Sequence, residues 1–319
     1  MSQCELYDLI IVGGGPGGLS AGIYAMRAAL KTVLIEKGLP GGQVNLTEAV
    51  ENYPGFDKIS GYDLSQKFLQ HAQGYGLEVR QQEVAVVEPG LAFHSVRLAN
   101  GDLLNCHAVI LATGGSPRKL NIPGELEYHG RGVSYCATCD GFFFRGKNVV
   151  VVGGGDTALE EAIYLAKITR LVHLVHRRDA LRGGRILQQR VMAEANIEIL
   201  WNTIATEIMA NDQGVRGVTL QDKQTGILRE LPVDGVFIFI GFLPNNQLVP
   251  EGIRMDHDGY VMTDEKCETN LAGIFVIGDL RQKYARQIVT AAAEGCTAAL
   301  AAALCVEMKK SGQACLQQK

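Results

Sequence analysis

The sequence predicts an α/β protein made of two Rossmann-like dinucleotide-binding domains of the three-layer type. Three observations carry this. A strand–glycine turn–helix unit opens the chain, a second copy sits in its middle, and an apolar segment ending in Gly-Asp lies near its end. At 319 residues there is room for two domains of roughly 100–200 residues each.

The first unit is "YDLIIVGGGPGGLSAGIYAMRA". Leu9 to Val12 are apolar, as a strand covered on both faces requires. Gly13, Gly15 and Gly18 then form G-x-G-x-x-G, with Pro16 inside the turn, and "KTVLIEK" gives a second strand ending near Glu36. The second unit, "KNVVVVGGGDTALEEAIYLAKI", repeats the layout with Gly153, Gly155 and Ala158, and "RLVHLVHRR" supplies its second strand up to His176. Eighteen positions separate Gly18 from Glu36, and 18 separate Ala158 from His176. One glycine motif is a weak signal, but an internal repeat in register is a strong one. The first glycine permits the tight turn, the second lets backbone approach a pyrophosphate, and the third position lets helix and strand pack closely. The pyrophosphate then lies on unpaired N–H groups at the positive end of the helix.

The two copies differ where the ribose is read. Glu36 is suited to accept from ribose hydroxyls, whereas His176, Arg177, Arg178 and Arg182 in "HRRDALR" suit a 2′-phosphate. The first site is expected to hold FAD or NAD and the second NADP(H). The plainer readings are a solvated helix start for the arginines and a water-facing strand end for Glu36. Two dinucleotides in one chain imply hydride transfer from nicotinamide to flavin. "CHAVILATGG" brings Thr113 and Gly114 toward a cofactor, "GIFVIGD" ends in Asp279, and a helix beginning near Arg286 aims its N-terminus at a flavin carbonyl. The simplest assembly inserts an NADPH domain, 116–247, into a discontinuous FAD domain, 1–115 and 248–319. The crossings "GGSPRKLNIPGE" and "GFLPNNQLVPEG" are rich in Pro, Gly and Asn, as linkers are.

Composition narrows the function classes. Hydrophobic residues make up 47% and charged residues 20%, enough for ordinary cores. The net charge of −4 with no basic block argues against nucleic acid. The start of the chain has no signal-peptide pattern, and runs such as "TAALAAALCVEM" read as too short for a bilayer, so a soluble cytoplasmic protein is expected. Of eight cysteines, six (Cys4, Cys106, Cys267, Cys296, Cys305 and Cys315) are isolated and read as small buried hydrophobes.

The remaining two, Cys136 and Cys139, form C-x-x-C in "SYCATCDGFFF". Zinc would need a second ligand pair, and none has the spacing. A static bridge over so small a loop gains little in a reducing compartment. The remaining reading is a dithiol that cycles, fed by the hydride donor and flavin predicted above. Asp140 is the adjacent candidate for acid–base work, with a helix N-cap as its plainer role. Phe142 to Phe144 read as packing, or as one ring left exposed to dock a partner.

Taken in order, "GGGPGG", "GGQVNLTEAVENYPGF", "ATGG", "CATCDGFF", "GGGDTALEEA", "HRRDALR" and "GD…ARQIVTAAAEGC" resemble the low-molecular-weight bacterial-type thioredoxin reductases over nearly the whole chain. The resemblance implies a homodimer binding FAD and NADPH, with the C-x-x-C in the NADPH domain and thioredoxin as substrate. It implies that Cys139 faces the flavin, that Cys136 attacks thioredoxin's disulfide, and that Asp140 is the acid. It adds Gly41, Gly42, Gln43, Asn52, Val84, Arg286, Gln287 and Ile288 to the FAD contacts, and Asp156 and Thr157 to the NADPH turn. It also implies rotation of one domain against the other between half-reactions. Asp156, where some relatives have asparagine, Ala285, where some have tyrosine, and Gly183–Gly184 are departures. The alternatives are another redoxin as substrate, glutaredoxin-like or a peroxidase carrier, and a non-enzymatic redox or nucleotide sensor.

Overall fold

The computed structural model describes residues 5–47 and 50–312; Cys4 and Cys315 lie outside them. The chain forms two compact units: Met1–Thr47, Tyr53–Ser116 and Leu243–Lys319 make the first, and Glu48–Asn52 with Pro117–Phe242 the second.

The first unit opens with β1 (Leu6–Val12), α1 (Pro16–Arg27) and β2 (Thr32–Glu36), and continues through α2 (Gly61–Gly74), β3 (Glu78–Gln81), β4 (Val84–Glu88), β5 (His94–Leu98) and β6 (Leu103–Leu111). Proline at the first position of α1 has the right φ and no N–H to leave unpaired. α2 is capped by Ser60, whose side chain accepts from Asp63 N. β1 lies parallel between β2 and β6, and the sheet runs β3-β2-β1-β6-β5-β4. Side chains alternate across this sheet: Leu9 and Ile11 pack toward the helices, while Ile10 and Val12 join Val84, Val96 and Leu98 on the other face.

The chain leaves this unit through β7 (Gly115–Pro117). The second unit then contains β8 (Val133–Ser134), α3 (Ala137–Asp140), β9 (Asn148–Gly153), α4 (Asp156–Ala166), β10 (Leu171–Val175), α5 (Arg185–Ala193) and β11 (Ile197–Leu200). An antiparallel meander of β12 (Thr203–Asn211), β13 (Gly214–Asp222) and β14 (Leu228–Pro232) follows, and then β15 (Gly235–Phe239). The parallel sheet runs β11-β10-β9-β15-β8. Val149 and Val151 pack against α4, and Val150 and Val152 against Val218 and Leu220 of the meander, giving three layers. The chain returns through β16 (Phe242–Pro244), which pairs with β7.

The last stretch adds β17 (Ile274–Val276) beside β6 and then α6 (Ile288–Lys310). α6 starts at Ile288, because Gln287 and Thr290 cap it reciprocally. One sequence expectation is corrected here. The run around "TAALAAALCVEM" belongs to a 23-residue helix containing an 18-residue stretch of mean hydropathy 1.7, long and apolar enough by length and composition to cross a membrane. Its Ala298, Ala299 and Ala302 are buried in the core shared with α1. A Cβ at Gly295 would fall on the Gly17 carbonyl oxygen, and Ser20 Oγ donates to Ala292 O at 2.7 Å. Small residues therefore set the close approach of α1 and α6.

Candidate active site

In the second unit, Cys136 and Cys139 are joined as a disulfide with their Cα atoms 5.3 Å apart. β8 carries the chain to this pair along the sheet edge beside β15, and Cys136 stands at the N-cap of α3. Asp140 ends α3, occupies the N-cap position of the short 3-10 turn Gly141–Phe144, and makes no side-chain cap bond there. Its Oδ2 instead lies 2.5 Å from Ser134 Oγ. Cys136 Sγ is 3.4 Å from Thr138 Oγ1. Beneath the turn, Glu161 of α4 faces the N–H groups of Ala137 and Thr138. Burial, helped by Glu160, pushes its carboxyl up to about 7 against those two N–H groups. The three phenylalanines have different fates. Phe144 is buried edge-on to Phe237, Phe143 packs against the same core, and Phe142 is 56% exposed.

The turn after β9 lies in the same unit. A Cβ at Gly153 would overlap Ala158 and the Phe239 carbonyl oxygen, so the close helix–strand contact needs both small residues. At Gly155 a Cβ would meet nothing, and α4 begins there without a side-chain cap. The turn thus leaves open space over free N–H groups, a cradle that fits a pyrophosphate. Asp156 Oδ1 accepts from Gly184 N at 2.7 Å, and Arg182 N donates to Gly154 O at 2.7 Å, so the basic loop is tied back onto the turn. Thr157, Arg177, Arg178 and Arg182 are exposed. His176 behaves differently: it is 4% exposed, and its ring nitrogens lie 2.8 Å from Gly153 O and 3.0 Å from Ala180 O. Its ring underlies Gly154 and shapes the turn from inside.

In the first unit the corresponding turn is built the same way. Gly13 has φ +109°, and a Cβ there would strike Ala112 O; a Cβ at Gly18 would strike Gly13 O. Gly15 again opens onto free space, and α1 has no side-chain cap, so this cradle also fits a pyrophosphate. Glu36 accepts from Gly14 N at 2.7 Å and from Gly38 N at 2.8 Å, while Gln82 N, two residues before Val84, donates to Glu36 O. Gly41 N bonds Gly14 O at 2.7 Å, and Gly42 lies against Gly15. Gln43 donates to Gly115 O. Asp279 is raised by burial and pulled back by Lys283 and Arg286, and Lys283 Nζ is 3.6 Å from its Oδ1. Arg286 lies over the Tyr260 ring at 4.2 Å, next to Gln287 and Ile288 at the start of α6. Asn52 groups with the second unit.

Sequence reasoning missed two residues here. Asn245 donates to Thr113 O at 2.8 Å and accepts from Thr113 Oγ1 through its carbonyl at 2.7 Å, stapling the turn at Thr113 and Gly114. Ser134, against Asp140 Oδ2, is the other. Only the linker composition around Asn245 and the closeness of Ser134 to Cys136 hinted at either.

Residues 7–295 match the family model of the pyridine nucleotide-disulphide oxidoreductases. A thioredoxin reductase of Bacillus subtilis (strain 168) is 46% identical over 299 residues, covering 94% of this chain and 94% of that protein. The crystal structure of thioredoxin reductase from Streptococcus pyogenes MGAS5005 superposes with a TM-score of 0.92 at 41% identity, over 96% of this chain and 99% of that one. The thioredoxin reductase from Giardia duodenalis gives 0.89 at 34% identity, over 95% and 100%. The chain belongs to the pyridine nucleotide-disulphide oxidoreductases, in their thioredoxin reductase branch. The predicted α/β architecture of two Rossmann-like units is that of these structures. Among the other cysteines of this oxidoreductase, burial pushes Cys106 up to about 12 and Cys267 up to about 11, so both stay protonated thiols.

Proposed function

We infer that the protein is an NADPH-dependent thioredoxin-disulfide reductase that works through FAD and a cycling Cys136–Cys139 pair. The observation that carries this is the bridged pair at a helix start, in the same unit as a dinucleotide cradle rimmed by Arg177, Arg178 and Arg182. The arginines are assigned to the 2′-phosphate of NADPH. Gly13, Gly15, Gly18 and Glu36 are assigned to FAD, with Gly41, Gly42, Thr113, Gly114 and Asp279 around it. FAD held there would supply two-electron chemistry for the disulfide, with NADPH as hydride donor.

The dithiol side of the reaction rests on this chain's own residues. Opening the bridge takes two electrons and two protons and yields two thiols. Cys136, as thiolate, attacks one sulfur of the substrate disulfide and releases the other. Cys139 then attacks Cys136, which releases the second substrate sulfur and restores the bridge. Asp140 holds the proton that moves between Cys139 and the leaving sulfur. Phe142, exposed beside the pair, gives a substrate protein an apolar foothold. The two units are proposed to rotate between half-reactions about the paired crossings β7 and β16. We further propose a cytoplasmic homodimer; the outer face of α6, with Leu300 at 51% and Leu304 at 61% exposure, supports pairing of subunits.

The test begins with the visible spectrum of the purified protein. It continues with bleaching by NADPH and by NADH, and ends with turnover of thioredoxin beside a glutaredoxin-like protein. A yellow protein bleached by NADPH is expected, with Cys136→Ser losing at least about 100-fold in turnover. A colourless protein, or a Cys136→Ser variant with full turnover, overturns the reading.

A further inference from the structure

The redox segment contains one buried hydroxyl with no role in the scheme above. Ser134 closes β8 and is 2% exposed. Its Oγ accepts from Cys136 N at 3.0 Å and lies 2.5 Å from Asp140 Oδ2 and 3.1 Å from the Cys136 carbonyl oxygen. A serine hydroxyl has one proton to give and two places to accept. Cys136 N–H fills one acceptor place, so the other place and the proton are set by the charge on Asp140. Facing a carboxylate, the hydroxyl donates to it in a charge-assisted bond, and such bonds are short. Facing a neutral carboxyl, Ser134 accepts from Asp140 and turns its own proton to the Cys136 carbonyl. No heavy atom moves between the two arrangements.

We propose that Ser134 is a positioning residue for Asp140, holding the carboxyl in one place in both its charged and neutral forms by reversing a single hydrogen bond. The proposal rests on the reading of Asp140 as the acid–base group. In the resolving step Asp140, as carboxylate, takes the proton of the Cys139 thiol while accepting from Ser134. The Cys139 thiolate attacks Cys136, the Cys136–Cys139 bond forms, and the Cys136–substrate bond breaks. The substrate sulfur leaves with that bond's electron pair and takes the proton back from Asp140. Ser134 accepts while Asp140 is neutral and donates again once it is ionised. Across the step one enzyme thiol is oxidised, one substrate thiol is formed, and no outside proton is needed.

Other titratable groups surround the segment. Glu161 approaches from α4, Glu125 accepts the Tyr135 hydroxyl at 2.8 Å, and His129 packs on the Tyr135 ring. Because Glu161 also titrates near neutrality, the test must separate it from Asp140.

With the flavin-loaded enzyme, thioredoxin turnover is measured from about pH 5 to about pH 9, and flavin bleaching by NADPH is followed separately. Ser134→Ala removes a donor to the carboxylate. It should move the acid limb up by about one pH unit and lower turnover near neutrality about tenfold. Bleaching by NADPH should not change. Ser134→Thr, which keeps the hydroxyl, should restore the limb; a limb left as in Ser134→Ala counts against the proposal. The shift should persist in a Glu161→Gln background and vanish in Asp140→Asn. An unmoved limb in Ser134→Ala, or the same loss with and without Asp140, overturns the role of Ser134 alone. Full turnover in Asp140→Asn overturns the acid–base reading itself, a result distinct from either.

Discussion

Arg177 and Arg178 are exposed, whereas His176 directly before them is buried with both ring nitrogens engaged. Replacing both arginines with alanine is expected to raise KM for NADPH by about 10- to 100-fold, since charge-assisted bonds of ~1.5–3 kcal/mol are lost. KM for NADH should change little; steady-state titration with each coenzyme checks this, and equal effects would misplace the 2′-phosphate. At this scale the sequence is readable wherever chemistry demands a residue type at short spacing: glycines in a turn, two cysteines, a basic cluster. Asn245 is not readable in this way, because its partner Thr113 is 132 positions away. The inward turn of His176 and the placement of Glu161 under Ala137 are likewise decided by tertiary packing rather than by neighbours in the chain.

Helix contacts set by missing side chains dominate at the scale of elements. Gly295 of α6 lies on the Gly17 carbonyl of α1, the helix whose N-terminus forms the first cradle. Gly295→Val is expected to destabilise by about 2–3 kcal/mol through overpacking. It should weaken flavin retention as well, because α1 must shift; thermal melting with the absorbance of the bound flavin measures both. A variant with an unchanged Tm would show that α6 yields at no cost. The strands next to the glycine turns were legible as long apolar runs. The β12–β14 meander was not, since stretches such as "VRGVTLQD" alternate weakly and are defined by packing under β9 and β10. The start of α6 at Ile288 reflects the pairing of Gln287 with Thr290.

The second unit is almost one uninterrupted stretch, Pro117–Phe242, entered and left through strands that pair with each other. Replacing it with a short Gly-Ser linker is therefore expected to leave a first unit that still takes up FAD. That product should show flavin absorbance but neither bleaching by NADPH nor disulfide turnover, and spectroscopy of the excised chain checks each. A product without flavin would show that the first unit does not hold the cofactor on its own. The two cradles also bear on descent. In each copy a glycine packed on backbone and a helix start left uncapped are the same, whereas the proposed selector at the end of the second strand differs. In the second copy that selector lies on the rim, outside the buried imidazole that supports the turn. After duplication such a unit can exchange coenzyme preference through a few surface substitutions while the packing beneath the turn stays as it is. A lineage can thus drift between phosphorylated and unphosphorylated nicotinamide carriers without passing through an unfolded ancestor.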